Sequence, residues 1–443
     1  KGYKGVLNKY KVLATKNPIL YITHYKESAI QFAQHHKINS NLEAAETLYK
    51  NAIDIFDKNS SYNFAIEVFE APLIEFYYQT NQLEKLVLLY TNIEKDKGTI
   101  DSNMGIILSR LASMYSKLNN FEEAEVIYIK QLKYYQEKTK NYKSFNLYKL
   151  EKLNNSLAAY TYNSLGELYK KHKLTNQALN TYEKSLLIFK NLSKTDPVKY
   201  EMEVANVLSK QGYIYYELGE YKTAEELYKK SIDLYKKYVL IMPKQVTSYL
   251  ATSMDMLSSV YTMRNEYEKA IVITNELTQI FNQAIYLDNF DKELIDGKAY
   301  NLMRLAYLYK DNSQFMNSKN AFLEALEIYK ETNEAAAALY GLGELYEKMQ
   351  QFDKAEKAYA ESLSIYRGLE KTTANILSIA WTLDRLGLVY SGLEQRTKSK
   401  QSYSEALFMY RQLTKQEPLK YKAYVAWTLS RLGELHEKDK QIH

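Results

Sequence analysis

The stretch LGELYEKMQQFDKAEKAYAESLSIY, Leu342 to Tyr366, reads as two short amphipathic helices joined by a turn. Leu342, Gly343 and Tyr346 share one face of the first helix. Ala355, Tyr359, Ser362, Leu363 and Tyr366 share one face of the second, at the three- and four-residue steps of an α-helix. Gly343 stands twelve residues before Ala355, and this offset between two small residues recurs along the chain. First-helix anchors fall at Gly166, Gly212, Ser258, Ala306, Gly343, Gly387 and Gly433, and second-helix anchors at Ala178, Ala224, Ala270, Ser318, Ala355 and Ser399. Two helices in close contact need a small residue where their backbones approach, and large residues at three- and four-residue steps fill the space between. Pro18, Pro197, Pro243 and Pro418 each stand fifteen residues before an anchor, a register that ends one helix and opens the next.

The array sets the organisation of all 443 residues as a single solenoid, since each unit of a repeat protein contacts only its neighbours. Residues 1–16 read as a second helix without its first. Residues 19–136 hold three divergent pairs, and Pro72 inside one first helix predicts a kink or a late start. Residues 137–152 form a Lys- and Asn-rich spacer, either a lengthened helix pair or an exposed loop. Residues 153–415 carry six regular long pairs, and 419–443 a first helix without its second. Few glycines (14) and prolines (5) favour an all-α chain over one built of turns and strands.

These residues resemble the tetratricopeptide repeat, with its Leu-Gly-x-x-Tyr first helix, its Ala-x-x-x-Phe/Tyr-x-x-Ala second helix and a following proline. The resemblance covers essentially the whole chain and implies a right-handed superhelical α-solenoid. Most anchor-to-anchor spacings run from 44 to 48 residues, as at Gly212 to Ser258 and Gly343 to Gly387, longer than the family's usual unit. They are similar to the long repeats of kinesin light chains and of bacterial arrays fused to effector domains. The added residues are expected in the helices or in the links between units.

Composition bears on chemistry mainly by exclusion. The absence of cysteine removes disulfides and thiolate metal sites, and fits a reducing, cytoplasmic setting. No apolar run is long enough to span a bilayer. The net charge of +6, from 59 cationic and 53 anionic side chains, is too balanced to call for nucleic acid. The six histidines show no ligand spacing, and His36 and His436 sit in the column that Tyr115, Tyr169 and Tyr346 fill elsewhere. No nucleophile elbow, P-loop or paired carboxylate stands outside helical ion-pair spacing, so neither an enzyme, a cofactor nor a metal is expected.

In the resembled family the first helices line a concave groove, through positions six and three residues before the anchor and one and four after it. Carried to this chain, they are Tyr160, Asn163, Glu167 and Lys170; Asn206, Ser209, Tyr213 and Tyr216; Thr252, Asp255, Ser259 and Thr262. The series continues with Tyr300, Met303, Tyr307 and Lys310, then Ala337, Tyr340, Glu344 and Glu347. This mixture of rigid aromatics with amides and hydroxyls suits an extended peptide, although half-exposed packing accounts for tyrosines there too. Trp381 and Trp427 share the register six residues before an anchor, as packing or as contact residues. Arg110, Lys210, Arg304, Arg385 and Arg431, two residues before their anchors, either present cations to an acidic partner or pair locally, as Arg431 could with Glu434.

The expectation is a protein-interaction scaffold that binds a segment of another protein without chemistry. The alternative is a sensor or regulatory arm of a larger effector, such as a protease or an immune nucleotide hydrolase. End-to-end self-association through the unpaired terminal helices is a third reading.

Overall fold

A computed structural model describes residues 2–39, 41–57, 82–97, 104–288, 291–330 and 332–440, with Leu73, Phe76, Tyr77 and Thr80. Pro72 and the kink expected there lie outside the described residues. All regular structure among the described residues is α-helical. The chain divides into two compact units, Lys1–Ile188 and Phe189–His443, with the boundary inside the helix Thr175–Ser193.

The first unit opens with the helices Gly2–Lys16, Pro18–Ile38 and Leu42–Asp57, each packed on the next. The helices Leu83–Lys97, Met104–Lys117, Phe121–Ser144 and Tyr148–Lys171 follow in the same way. The Lys- and Asn-rich segment at 137–152 is a lengthened helix pair, because residues to Ser144 continue one helix and Tyr148 opens the next. In the second unit the hairpins are Pro197–Glu217 with Tyr221–Lys236, Pro243–Met263 with Tyr267–Leu287, and Lys292–Asp311 with Phe315–Tyr329. Ala335–Lys348 with Phe352–Gly368, and Thr373–Gly392 with Arg396–Gln416, complete the pairs, and Pro418–Lys440 packs on the last of them. This succession of stacked hairpins is an all-α repeat solenoid.

Pro18, Pro197, Pro243 and Pro418 are each the first residue of a helix, where a missing N–H costs nothing and the fixed φ suits the helix. Much of the difference in repeat length lies in the first helices. Gly212 to Ser258 spans 46 residues and its opening helix, Pro243–Met263, has 21; Ala306 to Gly343 spans 37, and Ala335–Lys348 has 14.

The anchors make the contacts that call for small residues. A Cβ added at Gly166, Gly212, Gly343 or Gly387 would meet the ring of Tyr182, Tyr228, Tyr359 or Tyr403, sixteen residues on in each case. Where serine replaces alanine at the second anchor, its hydroxyl donates across the pair: Ser318 to the Ala306 carbonyl at 2.8 Å and Ser399 to that of Gly387 at 2.7 Å. Two turns beyond the second anchor, Ser231 and Ser362 donate to the Ala205 and Ala336 carbonyls at 2.8 and 2.7 Å. A buried hydroxyl with a partner is neutral or better, whereas one without costs about 1–3 kcal/mol.

Each turn within these hairpins places one residue in the left-handed region, five positions before the second anchor. The residues are Asn119, Lys173, Gly219, Asn265, Ser313, Gln350 and Glu394, with φ between 57° and 75°. The N–H after each of Lys173, Gly219 and Gln350 closes the helix on a carbonyl five residues back, as Leu174 does on Tyr169 at 2.9 Å, which is the Schellman ending. Glycine is the residue best suited to that conformation, and only Gly219 of the seven is one.

Candidate partner-binding site

The first helices of the second unit touch in succession, Pro197–Glu217, Pro243–Met263, Lys292–Asp311 and Ala335–Lys348. Polar side chains link them in a ladder. The Ser253 hydroxyl donates to Ser209 at 3.2 Å. Arg304 forms an ion pair with Asp255, and its guanidinium also donates to the Ser259 hydroxyl at 3.3 Å. Burial pushes the Asp255 carboxyl up, and the Arg304 charge opposes that shift. Glu344 accepts from Lys310 at 3.0 Å and lies 3.6 Å from Arg385, which donates to Glu347 at 3.2 Å. Of the arginine column, Arg304 and Arg385 thus reach carboxylates on the preceding first helix, and Arg431 pairs with Glu434 at 3.1 Å as the sequence allowed.

The aromatic positions divide between packing and exposure. Tyr307 stands edge-on to Phe322 at 5.1 Å between ring centres and carries the Lys310 ammonium over its face at 4.5 Å. Tyr340 meets the Tyr359 ring at 5.4 Å, and burial pushes its hydroxyl up to about 12. The Tyr213 hydroxyl donates to Glu217 at 2.9 Å, and Tyr216 packs against Tyr221 at 5.8 Å. Asn206 is half-buried. Tyr300, in contrast, is 60% exposed, and Trp381 and Trp427, in the same register, are 38% and 39% exposed while resting on Tyr424 and Tyr403. In the first unit Glu167 accepts from the Tyr182 hydroxyl at 2.7 Å and pairs with Lys170 at 2.6 Å, Asn163 is buried and Tyr160 half-buried.

Asp255 and Tyr300 come together with Thr252 at a pocket of about 260 Å³. Its floor is Met256, Leu277, Phe281 and Leu294, drawn from the helices Pro243–Met263, Tyr267–Leu287 and Lys292–Asp311. The floor residues do not belong to the partner-facing columns, and only the packing of three helices shows them. Asp384 is a second feature that sequence reasoning missed, although it occupies the Asp255 register, three residues before an anchor. It is buried, accepts from the Tyr410 hydroxyl at 3.1 Å and from Thr428 at 3.2 Å, and burial raises its carboxyl to about 6 against the opposing pull of those bonds and of Arg385 and Arg431.

His36 packs beside Phe32 at 4.7 Å, and no three side chains among the described residues gather as a metal site. No helix among them is long and apolar enough to cross a membrane.

Family models of the tetratricopeptide repeat match residues 107–141, 204–239 and 298–368. No curated protein matches the sequence. Among solved structures, the apo form of the quorum sensor NprR from B. thuringiensis is 12% identical, with 86% of this chain and 98% of that chain covered at a TM-score of 0.47. BtubC (BKLC) from P. vanneervenii is 18% identical, over 54% of this chain and 92% of its own, at 0.43. A tetratricopeptide repeat protein from Parabacteroides merdae is 16% identical, over 71% and 97%, at 0.38. The matched stretches fall in both units, so tetratricopeptide repeats stand in each of them, and the same anchors run through the pairs between.

Proposed function

We propose that the protein is an interaction scaffold that holds a segment of another protein along the first helices of its second unit. The observation that carries this reading is the row of exposed aromatics in one register, Tyr300, Trp381 and Trp427, on helices tied to the preceding first helix by ion pairs or, at Thr428, by a hydrogen bond to Asp384. Rings with few torsions lose little entropy on contact, and a braced array has little left to order when a partner arrives. The ladder consumes Asp255, Lys310 and Glu344 in internal pairs, so their role in this reading is to fix the face, and contact falls to the aromatics and to the pocket beside Tyr300.

The test is quantitative affinity capture from the source organism's extract with the wild-type chain and with the triple variant Tyr300→Ala, Trp381→Ala, Trp427→Ala, matched in circular dichroism. Proteins lost from the variant alone support the reading; identical capture profiles overturn it.

A further inference from the structure

The pocket beside Tyr300 has a composition that selects its occupant. Its floor is apolar, and its volume of about 260 Å³ is room for one large side chain. Gly297 lines it, and a Cβ there would stand 2.8 Å from the Phe281 ring, so glycine leaves that ring in place as the pocket wall. Among the described residues that line it Lys244 is the only cation, and its ammonium is held by Asp291 at 2.7 Å, with Glu293 more distant at 4.0 Å. Glu293 keeps its side chain 77% exposed. Asp255, which also lines the pocket, is matched by Arg304. Two carboxylates against one ammonium leave the open side of the rim negative, which favours a cation next to whatever enters.

We propose that this pocket takes one large apolar side chain, phenylalanine or leucine, from a partner segment whose adjacent residues are lysine or arginine. The proposal rests on the reading of the first helices as the partner-binding face and deepens it. Thr252, Asp255 and Tyr300 place the mouth on that face, so a segment lying along it drops a side chain to Leu277, Phe281 and Leu294. The flanking cation then meets Glu293, and the exposed Tyr300 ring offers its face to the same charge.

The experiment is fluorescence anisotropy of the full chain with three labelled peptides: Gly-Ser-Gly-Lys-Phe-Lys-Gly-Ser-Gly, the same peptide with alanine for phenylalanine, and the same with glutamate for both lysines. The first peptide is expected to bind about 10- to 100-fold more tightly than the second, the range set by burying one large side chain. It is also expected to bind more tightly than the third. Ala251→Trp fills the pocket from its wall, and Ser248→Trp does so from an exposed position that leaves the fold intact; each is expected to abolish the preference. Glu293→Lys is expected to reverse the ranking of the lysine and glutamate peptides. Equal binding of the three peptides, no binding of the first, or a preference that survives the tryptophan plugs overturns the proposal. If the plugged variants still capture the proteins that the Tyr300, Trp381 and Trp427 variant loses, the pocket assignment falls while the scaffold reading stands.

Discussion

The Tyr359 ring lies across Gly343, with its Cε1 2.5 Å from the point a Cβ would occupy. The same ring reaches one turn further along the first helix, where its hydroxyl donates to Glu347 at 3.0 Å. One pair of residues therefore fixes how closely the hairpin closes and ties its buried ring to the face where Arg385 and Glu344 pair.

Two glycines in the same register are expected to respond in opposite senses to alanine. At Gly343 a methyl group forces the Tyr359 ring aside, an overpacking that costs about 1–3 kcal/mol. At Gly433 nothing stands within 4 Å of the added Cβ, and alanine gains about 0.5–1 kcal/mol of helix propensity. Urea denaturation of the two variants reads both signs.

Two tyrosines in the next register separate in the same way. The Tyr182 hydroxyl has Glu167 as its acceptor, whereas the buried Tyr228 hydroxyl has no hydrogen-bond partner among the described residues. Tyr182→Phe is expected to cost about 0.5–1.5 kcal/mol, and Tyr228→Phe to be neutral or stabilising, since it removes a polar atom without removing a bond. Thermal melts of the two variants check the contrast.

Asp384 predicts a pH dependence of definite sign. Its carboxyl is raised to about 6, above its ordinary value of 3.8, so the folded chain holds that proton more tightly than the unfolded one. The stability linked to the proton is fully present below about pH 4 and is lost as pH rises through about 6. Asp384→Asn, which does not titrate, is expected to exceed the wild type by about 1–3 kcal/mol at pH 8 and to match it near pH 4. Unfolding free energies across that range decide it; a constant difference contradicts the assignment.

The fold was legible because its determinants are periodic and local. Gly343 and Ala355 set a register that the prolines repeat, and Pro197 and Pro243 open helices where that register puts them. The inter-repeat ladder was not legible: Asp255 and Arg304 lie 49 residues apart, and only the stacking of repeats makes them neighbours. The arginine column was visible without its partners, and the pocket floor stayed hidden because Leu277 and Phe281 read as ordinary core positions. The left-handed turn residues escaped as well, since Lys173, Gln350 and Glu394 carry none of glycine's signal.

The central claim, that partners lie along the first helices, is tested most directly by hydrogen–deuterium exchange of the full chain with and without a protein captured through Tyr300, Trp381 and Trp427. The account predicts added protection in Pro243–Met263, Lys292–Asp311 and Thr373–Gly392. Protection confined to the second helices Tyr267–Leu287, Phe315–Tyr329 and Arg396–Gln416 would contradict it.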